Sequence, residues 1–244
     1  MRKRFVFVIA LITAGVAYAE PLSPTELLPE LRKGGYILFI RHPKTNPDQA
    51  DTDPLHLDNI KAQRQLSDEG RKQATALGEA FRALKLPVEK VISSKFYRAQ
   101  EAAKLLDIGE VTASVDVTEG GLVVSPRENE RRMKALRELL SAAPAEGKNL
   151  VIVSHKPNLQ DTAGKEFGDL SEGEVVVFKP LGNSKFKSWL AWRRPRPGAN
   201  GRNDRNNGGD PEGIENRRMQ PRISRITRIR TMLFPIREFR VIRG

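Results

Sequence analysis

Between Glu20 and Trp192 the hydrophobic pattern changes period several times. Tyr36-Ile37-Leu38-Phe39-Ile40 is a continuous apolar run, the pattern of a strand covered on both faces. From Ser67 the period becomes helical: Ala74, Leu77, Ala80, Phe81 and Leu84 form one apolar stripe, and Asp68 and Glu69 stand where a helix N-terminus favours negative charge. Val91-Ile92 predicts a short strand and Tyr97 to Leu106 a helix. Ser125-Pro126-Arg127-Glu128 has the spacing of a capping box with proline at the first helical position, and predicts a helix to about Leu140. Leu150-Val151-Ile152-Val153 predicts the next strand, and Glu174 to Phe178 the last. Strands alternating with helices predict an α/β class with a mostly parallel central sheet flanked by helices, a three-layer α/β/α sandwich.

The two ends of the chain differ from this middle. Residues 1–19 carry Arg2, Lys3 and Arg4, an uncharged stretch from Phe5 to Val16, and Ala17-Tyr18-Ala19, the layout of a secretory signal peptide. This twelve-residue stretch falls short of the about 20 that cross a bilayer, so cleavage after Ala19 and a periplasmic or secreted protein are expected, with an uncleaved membrane anchor as the weaker reading. The net charge of +12 also belongs to the ends: residues 20–192 balance 25 basic against 25 acidic side chains, whereas residues 193–244 hold 14 arginines against 5 acidic residues. That segment opens with RRPRPGANGRNDRNNGGDPEG, too rich in Gly, Asn, Pro and charge to bury a core, and is expected to be a disordered tail. Ile223, Ile226 and Ile229 with arginines between them leave open a short basic amphipathic helix on a membrane or nucleic acid. The basicity therefore says nothing about the partner of residues 20–192. The absence of cysteine rules out a thiol nucleophile and thiolate metal ligands.

In a parallel sheet, ligands lie beyond the carboxyl ends of the strands. Three predicted strand ends carry chemistry: Arg41-His42, Ser93-Ser94 leading to Arg98, and Ser154-His155. A lone histidine at a strand end is more often a structural hydrogen-bonding group, and a lone arginine a solvated face. Two of the chain's three histidines and two arginines in register are a stronger signal, without an acidic cluster for a divalent metal.

LFIRHPKTN, VISSKFYRAQEAAKLL and NLVIVSHKPNL, in this order, resemble the motifs of the histidine phosphatase superfamily, the group that includes the cofactor-dependent phosphoglycerate mutases. The resemblance runs from about Leu27 to Phe178. It implies a phosphomonoesterase of the histidine acid phosphatase type, with His42 attacking phosphorus and becoming a phosphohistidine. It implies that Arg41, Arg98 and His155 donate to the phosphoryl oxygens, arginine being suited to bidentate contact, so that neither metal nor cofactor is needed. Thr45 would add a hydroxyl donor. The proton for the leaving group is expected from an acidic residue between the second and third motifs. Glu119 in DVTEGGLVV matches best, with Glu128 and Glu130 as competitors.

Two positions depart from the family pattern. Pro43 stands where glycine is usual and removes a backbone N–H, and Lys156 replaces the commoner glycine after the second histidine, facing either phosphate or solvent. His56, in the long acidic and proline-rich loop NPDQADTDPLHLDNIKAQRQL, is a candidate for substrate contact in a lid. The expected partner is a small-molecule or cell-envelope phosphomonoester. A non-catalytic phosphate-binding module, a mutase, and a nucleic-acid or membrane binder acting through the tail remain the alternatives.

Overall fold

The protein is described by a computed structural model over residues 24–120 and 124–192. The expected leader, residues 1–19, and the expected tail, residues 193–244, lie outside the described residues. The elements run α1 (Pro24–Lys33), β1 (Ile37–Arg41), α2 (Asp68–Ala83), β2 (Val88–Ser94), α3 (Tyr97–Leu106), β3 (Val111–Ser114), α4 (Pro126–Ser141), β4 (Asn149–Ser154), α5 (Lys156–Ala163), β5 (Val175–Gly182) and β6 (Lys185–Trp192).

The six strands form one sheet in the order β3-β2-β4-β1-β5-β6. β1, β2, β3 and β4 are mutually parallel, while β5 runs antiparallel to β1 and β6 antiparallel to β5. Alternation of side chains along a strand divides the apolar residues between two faces. Leu38 and Ile40 of β1 join Leu31 of α1, Leu77 and Phe81 of α2 and Ala102 and Leu106 of α3 in one core cluster. Ile37 and Phe39 join Leu136 and Leu140 of α4 and Leu159 of α5 in the other. Burial on both faces is why β1 reads as an unbroken apolar run instead of an alternating one.

Two expectations about strands need correction. The strand expected at Glu174 to Phe178 is β5, and it is not the last: the chain turns at Asn183 and Ser184, with φ of 50° and 58°, and returns as β6. Two consecutive positive φ values make the tight turn whose twist matches a hairpin. The sequence KFKSWLAW lies beside the composition break near Trp192, and its last four residues are all apolar, so it lacks a clear strand alternation. The strand expected at Val91-Ile92 is also longer, because its first half, Val88 to Lys90, lies toward the exposed end of the sheet and lacks an apolar run.

The helix starts match their chemistry. Ser67 caps α2 by accepting from the Gly70 N–H at 3.1 Å, and its own hydroxyl donates to the Lys44 carbonyl at 3.2 Å. This ties the first turn of α2 to the segment leaving β1. Ser125 caps α4 by accepting from the Glu128 N–H at 3.2 Å. The reciprocal half of that capping box does not form, since the Glu128 carboxylate is taken by Arg131 and Arg132 at 2.8 Å each.

Gly70 sets how closely α2 approaches the strand end, because a Cβ there would lie 1.9 Å from the Lys44 carbonyl oxygen. Alanine is intrinsically favoured over glycine in a helix by about 1 kcal/mol. Gly70→Ala should nevertheless destabilise the protein by roughly 1–3 kcal/mol, the range for overpacking a close contact. Urea unfolding checks this; unchanged or raised stability would contradict the close approach.

Candidate active site

Strand order decides which strand ends meet. β4 lies between β1 and β2, with Arg41 opposite Ser154 and Ser93 opposite Val153. The residues that follow β1 and β4 therefore share one end of the sheet, and the His42 N–H donates to the Ser154 carbonyl at 2.9 Å. The His42 and His155 rings stand 5.1 Å apart between centroids. Arg98, in the first turn of α3, reaches the same place after the short link that follows β2.

Arg98 is 0% exposed, and its charge is compensated on two sides. Nη2 donates to Glu119 Oε1 at 2.8 Å and Nη1 to Asp51 Oδ1 at 2.9 Å. The guanidinium carbon also lies 4.2 Å from the centre of the Phe96 ring, a cation–π contact. Phe96 in turn meets His155 edge to face at 5.3 Å. His155 Nε2 is 2.7 Å from Ser94 Oγ, and Nδ1 is 3.3 Å from Glu119 Oε1. Its two nitrogens thus face protein groups, where the motif alone suggested a donor aimed at phosphate.

His42 is held by the residue that departs from the family pattern. Its Nδ1 lies 2.9 Å from the Pro43 carbonyl oxygen. A carbonyl can only accept, so Nδ1 carries the proton and the lone pair is on Nε2. Burial, reinforced by the Arg98 and Arg41 charges, holds the His42 pKa down at about 3. Burial and the Arg98 charge likewise push His155 well below its ordinary value. Both imidazoles are neutral at physiological pH. Burial raises the Glu119 carboxyl, against the opposing pull of Arg98.

Residues 37–120 match the model for "Histidine phosphatase superfamily (branch 1)". This segment belongs to the histidine phosphatase superfamily. No curated protein matches the sequence. Among solved structures, the protein histidine phosphatase SixA complexed with tungstate is 15% identical, with 63% of this chain and 93% of that one covered and a TM-score of 0.45. A mycobacterial glucosyl-3-phosphoglycerate phosphatase is 16% identical, covering 64% of this chain and 97% of its own at a TM-score of 0.47. A protein described as mycobacterial hydrolase 1 is also 16% identical, with 64% and 96% covered and a TM-score of 0.46.

Arg41, His42, Arg98, Glu119 and His155 thus meet at one end of the sheet. Thr45 is buried beside them, but its hydroxyl donates to Glu172 Oε1 at 2.7 Å. Lys156 is half-buried at the start of α5, adjoining His155. His56 is not brought in: its side chain is 76% exposed and pairs with Asp53 at 2.7 Å. Of the competing acids, Glu128 is held by two arginines and Glu130 is exposed on α4. A groove of about 430 Å³ lined by Lys90, Ile92, Thr112, Ser114 and Leu139 contains none of these site residues.

Four site residues escaped sequence reasoning. Asp51 bridges Arg98 and the Arg64 backbone N–H, the latter at 3.0 Å. Arg64 brings a third guanidinium whose charge acts on His42, His155 and Arg41 and whose buried Nε has no hydrogen-bond partner. Glu172 lies 3.9 Å from Arg41 Nη2 and 4.0 Å from His42 Nδ1. Phe96 supplies the ring under Arg98. Only Phe96 had a usable signal, its place inside the second motif.

The buried imidazoles make stability depend on pH. Unfolded, each binds a proton near 6.5, whereas folded His42 does so only near 3. The unfolded state holds more protons across this window, so the contribution is complete above about pH 6.5 and is lost as pH falls toward 3. Urea-unfolding free energies should fall over this window by on the order of 1 kcal/mol per pH unit for His42, with His155 acting in the same direction. His42→Gln should lower that slope; equal slopes in the two proteins would contradict the buried neutral imidazole.

Proposed function

We propose that this protein is a phosphohydrolase of the histidine acid phosphatase type, removing phosphate from a phosphomonoester through a phosphohistidine on His42, without a metal. The observation that carries this reading is a neutral, buried His42 with its Nδ1 proton engaged by Pro43 and its Nε2 lone pair left for attack, beside the Arg41 and Arg98 guanidinium groups. A phosphate monoester carries close to two negative charges near neutral pH, and guanidinium groups offset them and favour in-line displacement.

The chemistry divides into two transfers. His42 Nε2 forms a bond to phosphorus as the ester P–O bond breaks, and the leaving oxygen takes a proton from the Glu119 carboxyl. The alcohol departs. Glu119, now a carboxylate, takes a proton from water as that water attacks the phosphohistidine, which restores His42 and releases inorganic phosphate. Burial of Glu119, which favours its neutral form, suits the first step. Lys156, adjoining His155, and His56, exposed on the β1–α2 loop, are the further candidates for substrate contact.

The layout of residues 1–19 supports a periplasmic or secreted location, where the substrate is a small-molecule or cell-envelope phosphomonoester. The helices on both sheet faces support reading the fold as a three-layer sandwich.

Two outcomes test the mechanism. Glu119→Gln should slow hydrolysis of an alkyl phosphate by about 100- to 10,000-fold while barely slowing p-nitrophenyl phosphate, whose leaving group needs almost no proton. His42→Ala should abolish both reactions, and equal slowing of both esters by Glu119→Gln would place the proton elsewhere. EDTA should leave the activity unchanged; loss on chelation with recovery on adding a divalent ion would overturn the arginine-based mechanism.

A further inference from the structure

Two carboxylates share the buried Arg98 guanidinium. Glu119 takes Nη2 and Asp51 takes Nη1, and the same Asp51 oxygen also accepts the Arg64 N–H. Asp51 lies on the loop between β1 and α2, 47 positions before Arg98. We propose that Asp51 is a positioning residue for the proton donor: by occupying one side of the Arg98 guanidinium, it limits the positive charge that Glu119 receives and keeps the Glu119 carboxyl protonated until the leaving group departs. The inference rests on Glu119 being that donor.

The physical reason is the scarcity of solvent. A carboxylate that received the full charge of a desolvated arginine would be held ionised and would make a poor acid. The groups facing Glu119 come from every neighbouring element. They are Arg98 of α3, His155 after β4, Arg41 at the end of β1, Asp51 and Arg64 of the β1–α2 loop, and Arg132 of α4. Arg132 is directed to the Thr118 and Glu119 backbone carbonyls at 3.2 and 3.3 Å, not to the carboxylate. Asp51 is the one anion among these groups. Its negative charge acts with burial to raise the Glu119 carboxyl.

Asp51→Asn tests this, since asparagine keeps the shape and an acceptor oxygen for Arg64 but loses the charge. With an alkyl phosphate, kcat should fall on the basic side of the pH profile as Glu119 loses its proton. In Asp51→Asn that limb should move to lower pH by about one unit, which is about a tenfold loss at a given pH along it. Hydrolysis of p-nitrophenyl phosphate should fall much less. Asp51→Glu, which keeps the charge, should leave the limb near its wild-type position. A carbon NMR titration of the Glu119 carboxyl, assigned with Glu119→Gln, gives a readout independent of turnover. In the wild type its midpoint should lie above the ordinary glutamate value of about 4.3, and in Asp51→Asn it should be lower. A limb that stays or moves upward, or a wild-type midpoint at or below the ordinary value, overturns the inference. If the wild type cleaves neither ester, or Glu119→Gln slows both equally, the proposed function fails; an active wild type whose limb is unmoved by Asp51→Asn overturns the role of Asp51 alone.

Discussion

Burying the Arg98 guanidinium is the constraint around which the site is organised. A charge removed from water is costly unless it is paired and hydrogen-bonded. Arg98 is paired through its two Nη groups, with Asp51 on one side and Glu119 on the other, and has the Phe96 ring against its carbon, while its Nε has no hydrogen-bond partner. These three partners come from the β1–α2 loop, the segment after β3 and the link between β2 and α3. One side chain therefore fixes three otherwise separate stretches of chain against each other. Removing either carboxylate would leave a buried charge underpaired, which is more damaging than never having buried it.

The same charge sets the protonation of its neighbours. Burial is the larger cause that keeps His42 and His155 neutral, and Arg98 adds to it in both. On Glu119 the two influences oppose one another, burial raising the carboxyl and Arg98 lowering it. Desolvation disfavours charge on both kinds of group, so it lowers the two imidazoles and raises the carboxyl within one small region. The proline at position 43 fits this arrangement: it brings no N–H, but its carbonyl orients the His42 ring.

Sheet topology supplies the frame. Parallel strands β1, β4 and β2 lie side by side, so the residues beyond their carboxyl ends converge without any long excursion of the chain. Strand ends anchored in a core covered on both faces hold side chains more firmly than loops do. Glu172, just before β5, enters the same end of the site because β5 runs antiparallel to β1, bringing its start beside the end of β1.

The sequence by itself determined the α/β alternation, the helix starts at Ser67 and Ser125, and the motif residues Arg41, His42, Arg98 and His155, because each rests on local pattern: an apolar run, a cap, a strand end. Glu119 was legible only as the best placed of three acids. The tertiary structure decided the rest. Asp51 reaches Arg98 across 47 positions and Glu172 reaches Thr45 across 127, and no periodicity carries information over such distances. The long β1–α2 loop named His56 as the conspicuous residue, yet the fold turns His56 to solvent and directs Asp51 and the Arg64 backbone inward. A loop's orientation depends on which buried charge it must satisfy, and that charge, on Arg98, is placed by strands elsewhere in the chain.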